Sequence, residues 1–200
     1  MSMDAVEIEV KFRVDNVSAL TRQLLSLGFQ EQTPRTFEHN ILFDTPDHTL
    51  RASRSILRVR RYGQRWILTH KCLPPNHDPQ ERLKHRQETE TVVEDGEAIC
   101  TMLHRLGFIE AFAYEKWRTE FADAIGHCVI DETPIGIFAE LEGPEPWIDE
   151  QTVKLGLAPA DLLTLSYGRL FEAWQTQTGS SAQQLTFAEC HPDFPAPLTN

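Results

Sequence analysis

Positive charge is what this sequence is shortest of. Its 200 residues carry 19 Lys and Arg against 30 Asp and Glu, a formal net charge of −11, and the pI lies near 5.1. Polymeric nucleic acid needs a basic surface that releases condensed counterions, so DNA and RNA are excluded as main partners, whereas a small anion in a local basic pocket is not. Long apolar runs are missing as well. No stretch approaches the roughly 18 uncharged apolar residues of a membrane span, and the opening MSMDAVEIEV has neither the basic start nor the apolar centre of a secretory leader. A cytoplasmic protein without a membrane partner is expected. Cysteine is sparse, and Cys72, Cys100, Cys128 and Cys190 include no C-x-x-C pair, which argues against a zinc site and against a disulfide framework. Disorder is excluded by the 40% hydrophobic content, enough for the core of one domain.

What is present reads as strands. Val6 to Phe12 alternates apolar and charged residues, the two-residue period of a half-buried strand. Asp15 or Asn16 can then cap a helix with Val17, Leu20, Leu24 and Leu27 on one face and Gly28 as its stop. Further strands are predicted over 35–43, 54–62, 65–73, 84–93, 109–121, 126–132 and 135–142, divided by turn formers such as Asp44-Thr45-Pro46-Asp47 and Glu132-Thr133-Pro134. A second helix is predicted over 95–106. Beyond Gly143-Pro144 one amphipathic helix is expected, starting at Pro159 and carrying Leu162, Leu163, Tyr167, Leu170, Phe171 and Trp174. The pattern implies one α+β domain over 1–178 built on antiparallel strands, with a tail over 179–200 that is mobile or strapped onto the body.

The informative feature is the charge on alternate strand positions. Residues two apart share a face, and the sets are Glu7, Glu9 and Lys11; Arg58 and Arg60; Arg86, Glu88 and Glu90; Lys116 and Arg118; Glu140 and Glu142. A solvated face would explain any one set. Like charges at neighbouring same-face positions repel, however, and within these sets Glu-x-Glu occurs three times and Arg/Lys-x-Arg twice. Such doublets are favourable when opposite charge lies between them: carboxylates gather a divalent cation and bases gather an oxyanion. A metal-bound polyphosphate meets both requirements. If the sheet closes with this face inward, Lys71 and Asp131 complete seven acidic and seven basic groups inside. The negative surplus then lies outside.

These residues resemble the CYTH superfamily, the triphosphate tunnel metalloenzymes. Glu7-Ile8-Glu9-Val10-Lys11 is similar to its E-x-E-x-K signature, Ile56 to Arg60 to its L-R-x-R strand, Leu68 to Lys71 to its L-T-x-K strand, and Arg86 to Glu90 to its R-x-E-x-E strand. Tyr114 to Arg118, Val129-Ile130-Asp131, Phe138 to Gly143 and Ser166-Tyr167 follow in the family's order. The resemblance implies a closed eight-stranded antiparallel β-barrel with helices packed outside, and a hydrophilic tunnel that takes a triphosphate with Mg²⁺ or Mn²⁺. Carried over residue by residue, it implies Glu7, Glu9, Glu140 and Glu142 as metal ligands. Lys11, Arg58, Arg60, Lys71, Arg86, Lys116 and Arg118 become the phosphate grip, and Glu9, Lys11, Glu88, Glu90 and Asp131 the catalytic set, with Glu88, Glu90 and Asp131 as further ligands or water-orienting bases.

The implied activity is hydrolysis of inorganic tripolyphosphate or of an organic triphosphate such as thiamine triphosphate. Two alternatives stand beside it: a class IV adenylate cyclase, which makes cyclic AMP and pyrophosphate on the same scaffold, and a binding module that has lost turnover. Some relatives pair through barrel edges or helices, so a homodimer is a possible assembly. Of the histidines, His39, His48, His77, His104, His127 and His191 are expected on the surface or in loops, and His70 outside the tunnel under a helix. Tyr167 is most simply a core residue with a bonded hydroxyl. The loop from Pro74 to Pro79 is expected at a tunnel mouth.

Overall fold

The computed structural model describes residues 5–75 and 82–191. Nine strands form one sheet: β1 (Ala5–Arg13), β2 (Gln30–Asp44), β3 (Ile56–Tyr62), β4 (Arg65–Cys72), β5 (Lys84–Val93), β6 (Ile109–Ala122), β7 (His127–Thr133), β8 (Gly136–Glu142) and the short β9 (Leu162–Leu163). Eight follow the order β5-β4-β3-β2-β6-β7-β8-β1, all antiparallel, and β1 returns to pair with β5. The ring is therefore the closed barrel expected from the strand pattern. Closure leaves no bare sheet edge around the ring, and β9 is added beside Lys11 and Phe12 of β1.

The helices are α1 (Val17–Ser26), the single turn α2 (Thr49–Ala52), α3 (Gly96–Arg105), α4 (Glu145–Lys154), α5 (Tyr167–Thr178) and α6 (Phe187–Cys190). Asn16 caps α1, its side-chain oxygen accepting from the Ala19 amide at 2.9 Å, and Asp95 caps α3 through Ala98 at the same distance. The alternation on β1 decides what lies inside. Val10 and Phe12 point outward and are buried with Leu20, Leu24, Phe29, Phe121, Ile130, Leu141, Trp147 and Ile148, which join α1 and α4 to the barrel's outer wall. A second cluster of Tyr114, Phe138, Tyr167, Leu170, Phe171 and Leu185 attaches α5 and the segment after it. Leu185 lies parallel to Tyr114 and exchanges main-chain hydrogen bonds with Ala113 and Glu115, so this segment runs along β6 as far as the described residues extend.

The structure differs from the sequence reading in three places. Strand β2 begins at Gln30 and runs through Pro34, which register shifts near Glu31, Thr33 and Thr36 accommodate. One C-terminal helix from Pro159 is replaced by two. Pro159 opens a 3₁₀ turn (Pro159–Asp161) ahead of β9, and the helix starts at Tyr167 with Ser166 as its cap. The other helix, α4, buries Gln151 and Thr152 along with Trp147 and Ile148, so it has no apolar stripe to read. Finally, His70 is exposed rather than packed under a helix. His77 and most of the Pro74–Pro79 loop lie outside the described residues.

Candidate active site: a charged tunnel

A cavity of about 1060 Å³ occupies the barrel, and all eight strands of the ring contribute to its wall. Thirteen of the fourteen expected charged residues line it: Glu7, Glu9 and Lys11 from β1, Arg58 and Arg60 from β3, Lys71 from β4, Arg86, Glu88 and Glu90 from β5, Lys116 and Arg118 from β6, and Glu140 and Glu142 from β8. The fourteenth, Asp131, is fully buried against Lys116, Arg118 and Tyr167, which line the cavity. A barrel interior this polar stands against the usual filling by apolar side chains. It persists because nearly every charge has a partner.

The deepest group centres on Asp131. Its carboxylate accepts from Lys116 Nζ at 2.9 Å, from Arg118 Nε and Nη2 at 2.7 Å each, and from the Tyr167 hydroxyl at 2.6 Å. Tyr167 is thus a core residue with a bonded hydroxyl, and its ring also underlies Lys11 at 4.2 Å and Lys116 at 4.9 Å. Arg118 continues to Glu140 at 3.0 Å, and Lys11 also binds Glu140. Burial opposes ionisation of Glu140 and Asp131, yet Lys11 and Arg118 hold the first well below the usual carboxylate range, and Arg118 and Lys116 depress the second.

Midway along the tunnel, Arg58 donates to Tyr114 Oη at 3.1 Å and Thr69 Oγ1 at 3.3 Å and lies 4.0 and 3.9 Å from Glu88 and Glu90. Arg60 binds Glu90 at 2.9 Å. A third group is rich in carboxylates. Strand register sets Glu9 directly across from Glu142 on one side and Lys84 on the other, and Glu7 across from Arg86. Lys71 bridges Glu7 at 2.5 Å and Glu88 at 2.8 Å, while Lys84 binds Glu9. No ion pair or hydrogen bond reaches the Glu142 carboxylate among the described residues. Burial, reinforced by Glu9, Glu142 and Glu88, pushes Glu7 up to about 8 against the pull of Lys71. Burial with Glu9 and Glu140 also raises Glu142. This end of the tunnel holds four carboxyl groups, Glu7, Glu9, Glu88 and Glu142, against three cations, Lys71, Lys84 and Arg86.

That surplus fits a hard divalent cation. Glu7, Glu9 and Glu142 offer only oxygen donors, the set that suits Mg²⁺ or Mn²⁺. No three Asp, Glu, His or Cys side chains among the described residues converge as a ready cage. Mg²⁺ normally takes one or two carboxylates and completes its shell with water and phosphate oxygens.

Two residues of this network lie outside the sets read from the sequence. Glu38 is fully buried, lies across from Lys116 in the β2–β6 register, and sits 3.8 Å from Lys116, Arg118 and Arg60 without a hydrogen bond to any of them. These three cations hold it ionised despite burial. Phe37-Glu38-His39-Asn40 carries no doublet that would mark it. Lys84 did leave a signal, since it precedes Arg86 by two and shares its face. Glu120, two residues beyond Arg118 on the same strand, also lines the cavity. His127, exposed on β7, also reaches the cavity wall.

The CYTH domain family model matches residues 5–152. Adenylate cyclase CyaB of Aeromonas hydrophila is 30% identical over 181 residues, covering 83% of this chain and 88% of that protein. Among solved structures, one described as an adenylate cyclase of Vibrio parahaemolyticus superposes with a TM-score of 0.72 at 20% identity, covering 85% of this chain and 99% of that one. A Hippeastrum adenylyl cyclase homologue, described as having a dominant triphosphatase activity, has a TM-score of 0.59 at 18% identity and covers 84% and 95% of the two chains. These two likenesses concern the fold.

Proposed function

Since the chain belongs to the CYTH domain family, we propose that it is a divalent-metal-dependent phosphohydrolase acting on a triphosphate, inorganic or organic, inside the barrel. The observation that supports this most is the tunnel wall itself, where the seven expected cations and six of the expected carboxylates line one cavity. Lys11, Arg58, Arg60, Lys71, Arg86, Lys116 and Arg118 grip the phosphate oxygens, Arg through its planar fork and Lys as a point charge. Glu7, Glu9, Glu140 and Glu142 would hold Mg²⁺ or Mn²⁺, Glu140 while also paired with Lys11 and Arg118. When bound, the ion supplies charge neutralisation and Lewis acidity at the phosphoryl oxygens.

The chain's own groups do the rest. Glu88 and Glu90 stand on the cavity wall beside Arg58, where either can orient a water for in-line attack on the terminal phosphorus and accept its proton. Lysine and arginine donors neutralise the charge that develops on the bridging and equatorial oxygens. Asp131 is spent on Lys116, Arg118 and Tyr167 and does not line the cavity. Its part is to position those two cations rather than to activate water.

A second reading, cyclisation of ATP to cyclic AMP and pyrophosphate, is favoured by the name of the Aeromonas relative. The same phosphate grip serves both reactions, which differ in whether water attacks the terminal phosphorus or the ribose 3′ hydroxyl attacks the α-phosphorus. The test offers the protein tripolyphosphate, thiamine triphosphate and ATP in parallel with Mg²⁺ or Mn²⁺, scoring orthophosphate, pyrophosphate and cyclic AMP separately. Orthophosphate without cyclic AMP is the expected result. Cyclic AMP with stoichiometric pyrophosphate from ATP replaces it with the second reading, and tight binding without turnover under any divalent metal reduces the protein to a binding module.

A further inference from the structure

We propose that Lys84 is the tunnel's built-in counter-cation: its ammonium pairs with Glu9 and competes with a divalent ion for that carboxylate, so Lys84 sets the metal affinity. The inference rests on the metal reading given above.

Glu9 is the centre of the carboxylate group. Glu142 lies directly across from it on β8 and Glu7 two residues before it on the same face of β1. Lys71 divides itself between Glu7 and Glu88. Lys84, by contrast, has Glu9 as its only ion-pair partner among the described residues, and β5 sets it directly across from that residue. An ammonium and a divalent cation compete for one buried carboxylate, because their like charges repel in a site where solvent screens poorly. Metal entry at Glu9 is therefore opposed by Lys84 and favours its departure.

The local structure confines this exchange to the side chain. The start of β5 is pinned to the outer wall: Leu83 is buried in the core beneath α1 and α4, Arg82 binds Asp149 at 2.6 Å, and His85 lies 3.3 Å from Glu145. Lysine's four-carbon stem is flexible enough to swing on such a fixed backbone. Lys84 stands on the cavity wall, so once displaced it joins the cations available to phosphate. Metal binding would thereby release a grip for the substrate, and the coupling is reciprocal.

The test titrates Mn²⁺ into wild type, K84M and K84R without any phosphate and follows the electron paramagnetic resonance signal of free Mn²⁺. K84M should bind Mn²⁺ at least about tenfold more tightly than wild type, the scale of one charged hydrogen bond removed from the competition. K84R, which keeps the charge, should return towards the wild-type value. Clear binding with equal or weaker affinity in K84M overturns the role of Lys84 and leaves the metal reading standing. No Mn²⁺ uptake by wild type or K84M overturns both. Should K84M fail to fold, K84Q makes the same comparison. Wild-type crystals grown with Mn²⁺ provide a second reading: Lys84 Nζ displaced from Glu9 supports the exchange, and Lys84 still paired with Glu9 beside a bound ion refutes it.

Discussion

Single carboxylates carry the sharpest consequences. Glu9→Gln keeps the shape of the side chain but removes the charge that faces Lys84 and would face the proposed metal, and turnover at saturating Mg²⁺ should fall by at least about a hundredfold. Near-normal kcat in that variant would remove Glu9 from the ligand set. Glu7 gives a pH signature. Its carboxyl lies at about 8 in the folded protein against an ordinary 4.5, so between those values the native state keeps a proton that the unfolded chain has released. Stability of the metal-free protein from this group is therefore lost as pH rises through that window. Glu7→Gln mimics the protonated form. Its gain in Tm over wild type should be negligible near pH 4.5, grow towards pH 8 and level off above it, and a pH-independent difference would refute the assignment. The doublets Glu7-x-Glu9 and Arg58-x-Arg60 were readable because like charges on one face require an explanation. Glu38 was not, since an isolated acid on a mixed strand acquires meaning only when three cations from other strands surround it.

At the scale of elements, the contact between the β6–β7 turn and α4 bears on Glu142. A Cβ added at Gly126 would meet the Glu142 carbonyl oxygen at 2.7 Å and the Trp147 ring at 2.8 Å, both too close to hold. Gly126→Ala should destabilise the protein by about 1–3 kcal/mol, the range for overpacking, measured by urea unfolding. An unchanged midpoint would mean that α4 shifts without cost. Strands and the two amphipathic helices α1 and α3 were legible from period and capping residues alone. Helix α4 was not, because half of its buried face is polar, and Pro159 pointed to a helix start where the chain instead makes a 3₁₀ turn and β9. A proline at a first turn favours helix entry without specifying which kind of helix follows.

On the scale of the whole molecule, a net charge of −11 coexists with a cavity lined by Lys11, Arg58, Arg60, Lys71, Arg86, Lys116 and Arg118, so a local basic lining is compatible with an acidic chain. No helix among the described residues is long and apolar enough to cross a membrane. The segment after α5 is part of the body: Leu185 is fully buried against Tyr114, Phe171 and their neighbours. Leu185→Ala should cost about 2–5 kcal/mol in chemical denaturation. A loss below roughly 0.5 kcal/mol, the scale of a surface substitution, would show that this strap can lift without penalty.

The sequence by itself determined the strand period, the side of each strand that carries charge, and the conflict of like charges that opposite charges from other strands relieve in the closed ring. Those are local properties, set by spacing along the chain. Tertiary structure decided who pairs with whom. Register across strands far apart in sequence brought Lys84 to Glu9, enclosed Glu38 among three cations and set Asp131 against Lys116 and Arg118. Charge separation between strands depends on shear and closure of the whole ring, and neither quantity is written in any one segment.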